Sequence, residues 1–350
     1  MTIEVLRHTV SHGLRASALL LALAAVLSWD GATAQAAEEV NIYSLRQPFL
    51  IEPILQEFTR RTGIRTNVVH APQGLVERIR QEGRNSPADV LLTVDIGRLH
   101  DAAEAGVLQP VRTPTLEANI PAPYRHPQGL WYALTFRARV IFASKDRVKP
   151  EELDTYEGLT APRWKGRICT RSSQHDYNIA LLASLIAHHG ETAAEQWARG
   201  LLANLARKPQ GNDRAQVKAI KEGECDIALV NTYYMGAMLE DAEQRAWAEA
   251  VYLYFPNQGG RGAHVNVSGA GITRSAPHKA NAVKLLEFLS SALAQQLYAE
   301  HNFEYPVNPD VPWSPLVASW GRFKPDTLPL VEIATHREAA LRMFDRVNFP

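Results

Sequence analysis

The sequence predicts an α/β fold in two lobes, and three observations carry that prediction. Short β-branched runs alternate with amphipathic helical stretches from residue 40 onward, the pattern of strands covered by helices. The first unit reads strand, helix, strand over residues 40–69, which implies parallel pairing through a right-handed crossover. The length, 350 residues at 46% apolar content, suits two cores better than one.

The elements follow in order. Val40-Asn41-Ile42-Tyr43 is the first strand and ends in Ser44-Leu45-Arg46-Gln47-Pro48. Ile51, Ile54, Leu55 and Phe58 then fall on one helical face, Thr62-Gly63 stops the helix, and Ile64 to Val69 is a second strand. Gly74 to Gln81 is helical with Leu75, Val76 and Ile79 inward. Val90 to Val94 is a strand, and Asp95 caps a helix over Ile96 to Ala105. These elements predict helices over a largely parallel sheet. A proline-rich loop follows Leu116. Leu130 to Phe136 and Val140 to Ser144 then read as two strands flanking Arg137-Ala138-Arg139, and the crossing between lobes is expected there. The two arginines fall on one face, where they either pair with surface acids or point into a cleft.

The second lobe opens with a helix over Glu151 to Leu159 and an exposed Arg163-Trp164-Lys165-Gly166. A short strand spans Arg167 to Thr170, and Ser172 or Ser173 caps a helix whose apolar body is Ile179, Leu181, Leu182, Leu185 and Ile186. Glu195 to Leu205 and Asp213 to Glu222 are further helices. Ile227 to Val230 is a buried strand stopping at Asn231-Thr232, Tyr252 to Asn257 is another, and Val265 to Ile272 returns to the first lobe. Ala280 to Leu293 is an amphipathic helix, and Tyr305 to Pro309 is extended. Helix dominates after Asp326.

Residues 1–36 differ from the rest. Arg7 and Arg15 precede an apolar run from Ala16 to Leu27, followed by Ala34-Gln35-Ala36, a small-x-small cleavage signal. This is a secretory signal peptide with an apolar core too short to span a membrane, and no later stretch reaches that length. The chain is therefore expected outside the cytoplasm, where its two cysteines, Cys169 and Cys225, are either cross-linked or buried as thiols. The 37 basic and 37 acidic residues balance, which gives no sign of a nucleic-acid partner.

The chemistry concentrates in two segments built alike: strand, polar cap, tyrosine, helix. One ends at Tyr177, the other at Tyr233 and Tyr234. In the first turn of a helix, neighbouring side chains diverge by about 100°, so two phenols can converge on one point. The helix N-terminus favours anionic oxygen nearby, which makes a cradle for a hard cation. The plainer alternative is a half-buried core tyrosine whose hydroxyl finds a partner. Gly259-Gly260-Arg261-Gly262 lacks the Lys-Ser/Thr ending of a nucleotide loop, and His175, His188 and His189 read as ordinary helix-end residues.

Seven segments together resemble the periplasmic ferric-ion-binding proteins, the solute receptors of ABC iron importers. They are N-I-Y-S-L-R-Q at 41–47, S-P-A-D-V-L-L-T-V-D at 86–95, R-A-R-V at 137–140, R-S-S-Q-H-D-Y-N at 171–178, V-N-T-Y-Y at 230–234, and S-G-A-G-I at 268–272 with E-Y-P-V-N at 304–308. The resemblance implies a type II-like periplasmic binding protein fold with a ligand cleft between lobes joined by hinge strands. Lobe 1 is then 37–139 and 264–312, lobe 2 is 140–263, and 313–350 is a helical segment packing on lobe 2. It also implies Tyr177, Tyr233 and Tyr234 as iron ligands. Where many members carry His-Tyr after the first strand, this chain has Arg46-Gln47-Pro48, as in the three-tyrosine subgroup that completes coordination with a small anion such as carbonate. Arg46, Gln47 and Arg137 are expected to hold that anion.

The ligand chemistry agrees with this reading. Phenolate oxygen is hard and basic and suits Fe³⁺ better than zinc or copper. Three phenolates neutralise the ion's charge, and cleft arginines offset an added anion. The expectation is thus a monomeric, non-catalytic periplasmic receptor that delivers Fe³⁺ to an inner-membrane ABC permease. One rival keeps the fold but binds a small oxyanion or organic acid. A secreted hydrolase is the other, though no Gly-x-Ser-x-Gly elbow or His-Glu-x-x-His motif is present.

Overall fold

The computed structural model describes residues 38–350, so the expected signal peptide lies outside the described residues. In chain order the elements are β1 (Glu39–Ser44), α1 (Pro48–Thr62), β2 (Arg65–His70), α2 (Leu75–Glu82), β3 (Val90–Thr93), α3 (Ile96–Glu104), α4 (Pro114–Asn119) and β4 (Tyr132–Ser144). There follow β5 (Ile168–Cys169), α5 (Asp176–Ala203), α6 (Asp213–Glu222), β6 (Ile227–Asn231), α7 (Tyr233–Glu240), α8 (Arg245–Glu249), β7 (Val251–Tyr254) and β8 (Val265–Ile272). The chain closes with α9 (Lys279–Ser290), α10 (Ala292–His301), β9 (Tyr305–Pro306), α11 (Pro315–Ser319), α12 (Leu330–Thr335) and α13 (Arg337–Arg346).

The opening unit forms as the periodicity demands. Ile51, Ile54, Leu55 and Phe58 bury one face of α1, and Gly63, at φ 73°, ends it in the left-handed region that glycine enters at no steric cost. β1 pairs in parallel with β2 and with β3. Beyond them the sheet is not largely parallel. Its order is β2-β1-β3-β8-β4-β6-β5, and β8 runs antiparallel to both β3 and β4. The return of β8 from a distant part of the sequence sets that direction, which no local pattern encodes.

β4 is the element on which the molecule turns. The two expected strands around Arg137-Ala138-Arg139 are a single buried strand of 13 residues. Its first part, Tyr132 to Ala138, pairs with β8 and β9, and its second part, from Arg139, pairs with β6 and β7. The partners change between Ala138 and Arg139, which divides the sheet and makes the fold two-lobed. The C-terminal helices bridge the division: α12 lies against α3 and α5, and α13 lies against α5. An ion-pair cluster reinforces them, with Arg98 Nε and Arg337 Nη2 each 2.8 Å from the carboxylate of Asp176.

Several local expectations need correction. Residues 151–159 form two 3₁₀ turns, Pro150–Glu152 and Glu157–Thr160, rather than a helix. Trp164 is not exposed: although its flanking residues are polar, it is buried as part of the hydrophobic core. The two helices expected across 179–205 form one run, α5, interrupted at Gly190 (φ 77°, ψ 166°). Cys169 and Cys225 form a disulfide with Cα atoms 5.9 Å apart, tying the β5 end to the residue that leads into β6.

Candidate metal centre

Two strand ends deliver the tyrosines. β6 is buried throughout and passes through Thr232 into α7, whose first two residues are Tyr233 and Tyr234. β5 leads through residues 170–175 into α5, where Tyr177 occupies the first turn. The cap of α5 is His175, not Ser172 or Ser173. The Tyr177 backbone N–H donates to His175 Nδ1 at 3.3 Å, while Ser173 donates its hydroxyl to the Phe349 carbonyl. Burial, with Arg171 nearby, holds His175 down to about 4, so the ring is neutral and its Nδ1 can accept.

The three phenols meet. Tyr177 and Tyr233 hydroxyls are 2.8 Å apart, and the Tyr233 and Tyr234 rings lie 4.4 Å apart between centroids. Burial pushes all three phenols above their ordinary value, and the mutual repulsion their phenolates would feel adds to it. A ligand that takes phenolate must therefore displace protons from these hydroxyls.

Arginines surround the cluster. The guanidinium carbons of Arg137, Arg139 and Arg171 lie 5.8, 5.6 and 5.3 Å from the centre of the Tyr177 ring. Arg139 and Arg171 share Asp213, which is fully buried; Arg171 Nη1 donates to it at 2.6 Å. Burial would raise this carboxyl, but the two guanidiniums prevail and hold it below the usual carboxylate range. Arg139 also donates to Asn178 and Asn231, each at 3.1 Å. Arg137 donates to Ser268 at 3.1 Å and to the Val94 carbonyl, and among the described residues it has no carboxylate partner. Both Arg137 and Arg139 are thus buried rather than surface ion-pair formers, and Arg137 lines the cavity.

The remaining expected anion residues sit across the cleft. Arg46 is 2% exposed and is paired to Glu304 at 2.5 Å and to Ser268 at 2.8 Å. Burial would lower its guanidinium, and the Glu304 carboxylate more than offsets that. Among the described residues the Nε atoms of Arg46 and Arg137, like those of Arg139 and Arg171, are buried without hydrogen-bond partners. Gln47 lies exposed at the start of α1 on the wall of the same cavity, about 560 Å³, which Tyr177, Tyr233, Tyr234, Arg46 and Arg137 also line. All six expected site residues therefore face one cavity. Among the described residues no cluster of three or more His, Cys, Asp or Glu side chains offers a competing metal site.

The sequence did not single out Asp213, Arg171, Asn178, Asn231 or Glu304. Arg171 and Asn178 flank the Tyr177 segment, a usable signal. Asp213 reads as an ordinary acidic residue of a helical first turn until β4 brings Arg139 to it.

Comparison with known proteins bears on the whole chain. Residues 85–320 match the family model of bacterial extracellular solute-binding proteins. Iron uptake protein A1 of Synechocystis is 48% identical over 315 residues, covering 89% of this chain and 88% of that protein. Apo ferric ion-binding protein A of Pasteurella haemolytica superimposes with a TM-score of 0.86 at 51% identity, covering 89% of this chain and 98% of the other. The Trichodesmium protein IdiA (FutA), solved in complex with iron and citrate ligands, gives 0.86 at 44% identity, covering 89% and 100%.

Proposed function

The chain belongs to the bacterial extracellular solute-binding protein family, and from that premise we propose that it is a periplasmic receptor that captures ferric iron for an inner-membrane ABC transporter. The observation that carries this reading is the convergence of Tyr177, Tyr233 and Tyr234, with the first two hydroxyls 2.8 Å apart. Three phenolates match the charge and hardness of Fe³⁺. The other reading, an oxyanion bound by arginines alone, leaves the convergence of these phenols without a purpose.

The tyrosines supply the metal ligands in this proposal. Arg46 and Arg137, with Gln47 at the wall, hold a small carboxylate or carbonate anion on the open side of the ion. Both arginines line the cavity that the tyrosines share, which supports that role. Lobe 1, residues 37–139 and 264–312, brings the anion residues, and lobe 2, residues 140–263, brings the tyrosines, while 313–350 is a helical segment packing on lobe 2, with α12 also against α3. Iron shifts the population toward the arrangement that holds both sets around it. The receptor works as a monomer and has no catalytic step.

The test is a ferric titration of the mature protein in bicarbonate, followed by visible absorption. A phenolate-to-iron charge-transfer band should saturate at one equivalent and be lost in Tyr177→Phe or Tyr233→Phe, with both variants folded. A protein that stays colourless, or variants that keep the band unchanged, would overturn the assignment. Omitting bicarbonate, or replacing it with citrate, identifies the anion by the shift of the band.

A further inference from the structure

Gly236 is an unexpected residue for the middle of α7. Glycine inside a helix costs about 1 kcal/mol relative to alanine, so its position needs a reason. The reason lies across the cleft. A β-carbon at 236 would overlap Cγ of Phe303 and stand 2.5 Å and 2.7 Å from its Cδ1 and Cδ2 atoms. The Phe303 ring thus seats directly on the backbone of the helix that begins with Tyr233 and Tyr234. Position 236 is three residues after Tyr233, so the bare spot lies on the helix face that carries that phenol.

The two partners come from opposite sides of the β4 division. α7 continues from β6, which pairs with the second part of β4, whereas Phe303 precedes β9, which pairs with the first. Phe303 is also held unusually firmly. It is 6% exposed, and its φ of 56° is left-handed, a conformation that a bulky residue adopts only when its surroundings impose it. Its neighbours do so. Asn302 donates to the Leu50 carbonyl at 3.0 Å, and Glu304 is fixed by Arg46 at 2.5 Å and Thr135 at 3.0 Å.

We infer that the Phe303 ring resting on Gly236 is a mechanical stop that sets how closely the two lobes approach, and so positions Tyr233 and Tyr234 for the ion. Gly236 and Phe303 are positioning residues, since neither carries a side-chain oxygen, nitrogen or sulfur that could ligate the ion. A side chain at 236 props the lobes apart, and a larger ring at 303 does the same from the other side. The inference rests on the ferric reading above.

The test is a two-residue cycle read as the rate of iron release to excess chelator, with the charge-transfer wavelength recorded beside it. Gly236→Ala should release iron about 10- to 100-fold faster, the range seen when groups supporting a metal ligand are displaced, with the wavelength unchanged because the phenolates remain. In the Phe303→Ala background the same Gly236→Ala change should alter release by less than about threefold, since nothing is left to prop against. Equal penalties in both backgrounds would mean a local effect on α7 and would overturn the inference. If Gly236→Ala lowers the melting temperature of the iron-free protein, Phe303→Trp carries the test, with faster release expected and unchanged release refuting it. A native protein with no band at all would instead refute the iron reading itself.

Discussion

Removing the Cys169–Cys225 bridge should lower stability by an amount that the fold sets. The two cysteines are separated by 56 positions in the chain and open the segments that lead to Tyr177 on one side and to Tyr233 and Tyr234 on the other. In the chain-entropy account, closing a loop of that length removes about 14 cal/mol/K from the unfolded ensemble, about 4 kcal/mol at 25 °C. Unfolding about 300 residues gains about 2 cal/mol/K each, so the loss corresponds to about 7 °C in melting temperature. Differential scanning calorimetry of the Cys169→Ser/Cys225→Ser protein, beside the native protein with and without reductant, measures it. The reduced native protein and the variant should melt together, both below the oxidised form, and the ferric band should survive, because the phenols sit eight or nine residues beyond the bridge. A variant melting within about 1 °C of the oxidised protein would refute the reasoning: the segment between the cysteines would then be held in the unfolded chain by something other than the bridge.

Burial, with Arg139 and Arg261 nearby, holds His264 down to about 3, whereas in the unfolded chain it titrates near 6.5. Above pH 6.5 the ring is neutral in both states and costs nothing; as pH falls from about 6.5 toward 3 the unfolded chain alone gains the proton. Stability should therefore fall by up to about 1.4 kcal/mol per pH unit from this group, and urea unfolding at pH 7, 6 and 5 should show a slope shallower by about one proton in His264→Gln. Identical slopes would count against it. Glu304→Gln leaves Arg46, 2% exposed, without its counter-charge and should cost about 3–5 kcal/mol in chemical denaturation. A loss below about 1 kcal/mol would show that Ser268 and its surroundings suffice for the guanidinium.

Where local periodicity and local chemistry determined an outcome, the sequence was readable. Ile51, Ile54, Leu55 and Phe58 can only be one face of a helix, and Asp95 caps α3 by accepting from the Arg98 N–H. The tyrosines were readable because the same strand-to-helix setting occurs twice, and convergence is the natural outcome of two neighbouring strand ends. What escaped is what depends on distant pairing. The antiparallel course of β8 follows from a connection of many residues, and the burial of Trp164 follows from packing that its polar neighbours conceal. Asp213 escaped for the same reason: an acid in the first turn of α6 has an ordinary purpose there, and only the assembled sheet brings Arg139 and Arg171 to its two oxygens. The reading of residues 151–159 as helical failed because their composition suits a helix while the chain is held in two 3₁₀ turns.

The single strand β4 has a consequence for the field around the tyrosines. Arg137 pairs with Asn266 on β8, and Arg139 pairs with Asn231 on β6, so these two guanidiniums ride on opposite sides of the line where the sheet changes partners. Because both sit on one continuous strand, two positions apart, the β4 backbone itself fixes their spacing beside Tyr177. The other charges at the tyrosines, Arg46 and Arg171, arrive on separate elements, so their placement depends on the assembled fold rather than on one backbone.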